Sequence, residues 1–150
     1  MFPVHLSPAV RDTILPRLQQ RDRIILLEPI DYFETVHFMK SCYLVLTDSG
    51  GIQEEAPALG KPVLVLRDAT ERPEGLAAGT VRLVGTEPEV ILEVASELLR
   101  NPKEYQRMSE AVNPYGDGQA CTRIIQALEY LAGRGESPQP FTPSQKCEYS

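Results

Sequence analysis

The sequence predicts an α/β fold, a parallel sheet flanked by helices, and three features carry that expectation. Short apolar runs alternate along the chain with helix-compatible segments, the pattern of strands joined by crossover helices. Pro62-Val63-Leu64-Val65-Leu66 is a continuous apolar run bounded by turn residues, as in parallel strands buried on both faces. Leu44-Val45-Leu46-Thr47-Asp48-Ser49-Gly50-Gly51-Ile52-Gln53-Glu54-Glu55 passes from an apolar run through a polar pair and two glycines into a helix-compatible stretch.

In chain order, Phe2-Pro3-Val4-His5 reads as the last residues of a strand whose beginning is missing, with Pro3 holding its predecessor extended. Ser7 can cap a helix that has Pro8 at its first position and runs from Ala9 to about Gln19, and Pro16 would kink or shorten it. Arg23 to Leu27 forms a second strand. Asp31 can cap the next helix, where Tyr32, Val36 and Met39 recur at helical spacing and Tyr32 and Phe38 read as core. Tyr43 to Thr47 is the strand that feeds the Gly-Gly turn. The helix after that turn contains Pro57 and stops at Gly60.

Beyond the 62–66 run, Arg67 to Glu74 is a polar loop, followed by a short helix from Pro73 to Ala78 and a strand from Thr80 to Val84. Glu87 to Arg100 is an amphipathic helix carrying Val90, Ile91, Val94, Leu98 and Leu99. A shorter helix, Lys103 to Ala111, leads to the irregular link Asn113-Pro114-Tyr115-Gly116-Asp117-Gly118. In that link Tyr115 packs and Asp117 serves the turn. The last helix, Gln119 to Ala132, places Ile124, Ile125, Leu128 and Leu131 on one side. Residues 1–132 form the folded domain, and residues 133–150 lack any apolar period and read as a disordered tail.

Bulk properties narrow the function. At 150 residues, 42% hydrophobic and 24% charged, the chain is an ordinary globular domain. A net charge of −6 argues against a nucleic-acid binder, which needs a basic face. No apolar run approaches the roughly 20 residues that span a bilayer. The first residues lack a signal-peptide layout, so a cytoplasmic setting is expected. Cys42, Cys121 and Cys147 are odd in number and widely spaced, making neither a disulfide framework nor a zinc site; Cys42 and Cys121 read as small core residues. No metal and no cofactor is expected.

The chemistry concentrates at residues 48–55. Backbone N–H groups at a strand-to-helix turn are unpaired, the helix dipole adds positive charge, and a diphosphate suits that geometry. Gly50 and Gly51 let a ligand approach the backbone closely. Glu54 and Glu55 fall about one turn further in, where a carboxylate can accept both hydroxyls of a ribose. The plain alternative stays open on spacing alone: a sharp turn, a capping Asp48 and a solvated pair of glutamates. Neither a P-loop nor a dinucleotide fingerprint is present. Ligands of open parallel sheets sit beyond the C-terminal strand ends. Three polar clusters fall at such ends, namely His5 with Ser7, residues 48–55 and residues 67–74, and they are expected to converge on one edge.

Val4-His5-Leu6, Glu28-Pro29, Leu46 to Pro57, Gly60-Lys61-Pro62-Val63-Leu64, Glu71-Arg72-Pro73-Glu74, Gly79 to Gly85 and Asn113 to Gly118 occur in one order. Together they closely resemble the C-terminal half of the non-hydrolysing UDP-N-acetylglucosamine 2-epimerases, over about residues 2 to 132. The resemblance implies a Rossmann-like domain, the second half of a glycosyltransferase-B-like fold, that grips UDP. It also implies interconversion of UDP-GlcNAc and UDP-ManNAc by elimination and re-addition of UDP. Carried onto this sequence, Ser49, Gly50 and Gly51 hold the diphosphate, Glu55 the ribose, Arg72 lies near the phosphates or uridine, and His5 lines the cleft.

Two departures stand out. The family's acid/base residues lie in an N-terminal domain that this sequence does not contain. No catalytic residue is therefore assigned, His5 being the one candidate, and the chain alone is expected to be inactive. Thr35 stands where relatives often carry an aromatic residue able to stack on uracil. The partners implied are UDP or UDP-GlcNAc, the missing N-terminal domain and a second copy in a homodimer, with no nucleic acid and no membrane. A nucleotide-sugar glycosyltransferase and a non-enzymatic nucleotide-sugar-binding module are the alternatives.

Overall fold

The computed structural model describes residues 1–143. The chain falls into two compact units, Met1–Ser41 and the remainder from Cys42. The first contains β1 (Phe2–Pro3), α1 (Pro8–Leu18), β2 (Leu26–Leu27) and α2 (Tyr32–Ser41). β1 and β2 pair in parallel, Phe2 with Leu26 and Pro3 with Leu27. Three expectations for this unit are revised. Ser7 stands at the cap position of α1, but its side chain makes no capping bond. Instead, its amide donates to Nδ1 of His5 at 3.1 Å. The second strand starts at Leu26 rather than Arg23, because Arg23 adopts a left-handed φ of 64° in the turn after α1. Tyr32 is 62% exposed and is not core.

Other local signals hold. α1 runs two residues past Pro16, ending soon after it. Asp31 caps α2 as a reciprocal box: Oδ1 accepts the Glu34 amide at 2.8 Å, and Oε2 of Glu34 accepts the Asp31 amide at 3.2 Å.

The second unit carries β3 (Val45–Thr47), α3 (Gly50–Ala58), β4 (Val63–Val65), α4 (Pro73–Ala78), β5 (Val81–Leu83), α5 (Pro88–Arg100), α6 (Pro102–Ser109) and α7 (Ala120–Leu131). Its strands form a parallel sheet in the order β3-β4-β5. β4 is central, and Val63, Leu64 and Val65 are all fully buried, so the continuous apolar run is the strand covered on both faces. Side chains alternate across a strand. Leu64 therefore meets Val84, Leu98 and Met108 in the core under α5 and α6, with Ile91 and Val94 packed beside them. On that same face Arg82, in register with Leu64, bonds Glu97 at 2.7 Å and Glu104 at 3.4 Å. Val81 lies on the opposite face, where its methyl stands near Gly75 of α4. Helices thus flank the sheet on both sides, and the parallel α/β expectation stands.

α3 ends where Pro57 and Gly60 suggested, with Gly60 at a φ of 67°. The face of α7 formed by Ile124, Ile125, Leu128 and Leu131 is exposed, as is Cys121, which is therefore not a core residue. Cys42 is half-buried. After α7, residues 133–143 have no helix or strand, although Arg123 donates to the Gln139 carbonyl at 3.2 Å and its guanidinium lies 5.8 Å from the Phe141 ring centre. The remaining tail, residues 144–150 with Cys147, lies outside the described residues.

Candidate functional site

The register of the sheet builds the site. Thr47, Val65 and Leu83 are aligned across β3, β4 and β5, so the loops that follow Thr47 and Val65 leave the sheet at one level. After Thr47 the chain turns within Asp48 and Ser49 and enters α3. The turn is held by the Thr47 hydroxyl, which accepts the Ser49 amide at 3.0 Å. Ser49 occupies the cap position with extended backbone, yet its side chain makes no capping bond to α3. Asp48 is exposed and does not cap the helix, contrary to the plain alternative. The first amides of α3 are thus left to a ligand or to water.

The two adjacent glutamates separate in function. Glu54 pairs with Arg72, whose Nε donates to Oε1. That bond raises the Arg72 pKa further and keeps the guanidinium charged. Arg72 thus neither pairs with Glu71 nor with Glu74; its Nη1 donates instead to the Glu71 carbonyl at 3.2 Å. Its Nη2 lies 3.7 Å from the place a side chain on Gly50 would occupy, so the cation overhangs the start of α3. Glu55, half-buried, has no such partner among the described residues, and its Oε1 stands 3.7 Å from the equivalent place on Gly51. One carboxylate is committed to the arginine and the other is left facing the glycine turn.

Within the second unit, then, Ser49, Gly50, Gly51, Glu55 and Arg72 come together. His5 belongs to the first unit, just beyond β1, where its imidazole accepts the Ser7 amide. No local pattern marked out Gln53, which is fully buried inside α3 and accepts a bond from the Thr70 hydroxyl at 2.6 Å. Tyr115, half-buried, accepts the amide of Gly75 at 3.0 Å, and burial pushes its phenol pKa up. Asp117 does serve its turn, accepting the Gln119 amide at 3.0 Å, and it also takes both terminal nitrogens of Arg123 at 2.8 and 2.6 Å. Among the described residues, no group of three or more His, Cys, Asp or Glu could hold a metal ion, and no helix is long and apolar enough to cross a membrane.

Fold and loops together define a parallel, Rossmann-like α/β domain with an uncapped glycine-led helix and a charged loop at one end of its sheet. Residues 1–129 match the family model for UDP-N-acetylglucosamine 2-epimerase, and the chain belongs to that family. It is 51% identical over 143 residues to the UDP-N-acetylglucosamine 2-epimerase of Bacillus subtilis, covering 95% of this chain and 38% of that one. A solved S. aureus MnaA-UDP complex superposes with a TM-score of 0.87 at 48% identity, covering 93% of this chain and 39% of the other. The UDP-GlcNAc 2-epimerase of Neisseria meningitidis bound to UDP-GlcNAc gives 0.78 at 49% identity, over 85% and 35%. The chain thus spans a little over a third of the length of the relatives it matches.

Proposed function

We propose that this chain is the UDP-gripping half of a UDP-N-acetylglucosamine 2-epimerase. The observation that carries the proposal is the position of Arg72, held by Glu54 above Gly50 at the uncapped start of α3. A diphosphate placed there meets the Ser49 hydroxyl and the N–H donors of Gly50 and Gly51 on one side and a guanidinium on the other. Glu55 takes the ribose hydroxyls. The S. aureus relative solved with UDP and the Neisseria relative solved with UDP-GlcNAc support the choice of ligand.

The reaction interconverts UDP-GlcNAc and UDP-ManNAc through loss and re-addition of UDP. Departure of UDP develops negative charge on the diphosphate, and preorganised amides with a fixed cation stabilise it as it forms. Proton removal and return at carbon 2 need positioned acid and base groups. Those belong to the amino-terminal part of the longer relatives, so this half alone does not turn over. The family match favours epimerisation over glycosyl transfer or simple nucleotide-sugar binding. A cytoplasmic setting fits an acidic chain without a disulfide pattern that handles a nucleotide sugar.

The test is a turnover assay with UDP-GlcNAc, run on the chain alone and with an amino-terminal epimerase domain added. Conversion only in the mixture is the expected result. Conversion by the chain alone refutes the division of labour, and transfer of sugar to an acceptor instead of epimerisation refutes the reaction.

A further inference from the structure

We propose that Gln53 and Thr70 form a positioning pair that locks the Ser49 turn to the Arg72 loop, so that amides and cation meet one diphosphate at a fixed spacing. The inference rests on the UDP-binding role proposed above and assigns parts to two residues beyond it.

The pair is a continuous chain of bonds between two loops of the sheet. Nε2 of Gln53 donates to the Ser49 carbonyl at 3.2 Å. Thr70 donates its hydroxyl to Oε1 of Gln53 at 2.6 Å. The Arg72 amide donates to that same hydroxyl oxygen at 3.1 Å. The directions are forced. A carbonyl only accepts, so the amide nitrogen of Gln53 must face Ser49, which turns its oxygen toward Thr70 and leaves the threonine hydroxyl to donate. Gln53 is fully buried, which makes each broken link costly.

A buried glutamine inside a nine-residue helix is an unusual choice for packing alone, since an apolar side chain would fill the space without needing partners. Its two bonds reach the residue at the head of α3 and the residue two positions before Arg72. Glu54, the next residue on α3, fixes the arginine side chain. The Gln53 chain fixes the arginine backbone. Arg72 is thus tied at both ends to the helix whose N-terminus it overhangs.

The experiment measures UDP affinity of the full chain by calorimetry for wild type, Thr70→Val, Thr70→Ser, Arg72→Ala and the double variant Thr70→Val/Arg72→Ala. Thr70→Val keeps the shape and removes the hydroxyl, and it is expected to weaken UDP about tenfold. Thr70→Ser restores the hydroxyl and the affinity. In the Arg72→Ala background the Thr70→Val loss should shrink to about twofold or less, because the hydroxyl acts through the arginine. Should Thr70→Val not fold, Thr70→Ala at this half-buried position serves in its place. Wild-type affinity in Thr70→Val, or an undiminished loss in the Arg72→Ala background, overturns the pair while leaving the binding site standing. No uptake of UDP by wild type overturns the binding role, and the pair with it.

Discussion

The Tyr115 hydroxyl accepts the backbone amide of Gly75, bridging 40 positions of sequence at 3.0 Å. Gly75 is buried, and it is the third residue of α4, one of the helix-start amides with no partner inside the helix. A side chain on Gly75 would sit 2.6 Å from the Tyr115 oxygen, so glycine is what allows the bond. The irregular 113–118 link thereby staples the start of the helix that follows Arg72.

Tyr115→Phe deletes the acceptor and leaves a buried amide unpaired. A loss of about 1–2 kcal/mol in stability is expected, read as a lower midpoint in urea with an unchanged slope. An unchanged midpoint would show that water replaces the phenol at no cost.

Gly50 has no left-handed backbone angle, so alanine fits there without strain. The added methyl would lie 3.7 Å from the Arg72 guanidinium, in the gap assigned to a phosphate. Gly50→Ala should keep the thermal midpoint and weaken UDP about tenfold or more. Equal affinity in the two proteins would place the diphosphate elsewhere.

Glu55 is assigned to the ribose. Wild type should prefer UDP over 2′-deoxy-UDP by about tenfold, and Glu55→Ala should bind both alike. Competition between the two nucleotides measures this. Persistence of the preference in Glu55→Ala would remove the carboxylate from sugar recognition.

Asp117 answers to pH. The Arg123 guanidinium, bonded to both its oxygens, holds its carboxyl well below the usual carboxylate range, and the Gln119 amide adds to this. A depressed pKa in the folded state contributes stability that is full above the unfolded value of about 3.9 and is lost as pH falls through the folded one. Asp117→Asn should therefore melt below wild type at pH 7, with the gap closing as the solution is made strongly acidic. A gap independent of pH would mean the carboxylate is not the source.

What the sequence made legible was local. The buried strand at Val63–Val65, the Asp31 cap, the stop at Gly60 and the glycine-led start of α3 each depend on neighbours within a few positions. Residues joined across the fold were not legible. Glu54 and Arg72 are 18 positions apart and Gln53 and Thr70 are 17, and no periodicity links either pair. They meet because parallel strands bring successive loops to one edge of the sheet. Exposure at Tyr32 and Cys121 escaped notice for a related reason: apolar spacing marks which side of a helix is apolar, not whether anything covers it.

The central claim is that Ser49 and the amides of Gly50 and Gly51, with Glu55 and Arg72, hold uridine diphosphate. Calorimetric titration of the folded chain with UDP tests it most directly. Saturable one-to-one binding, weakened in Arg72→Ala, is the predicted result; a folded chain that gives no heat with UDP would contradict it.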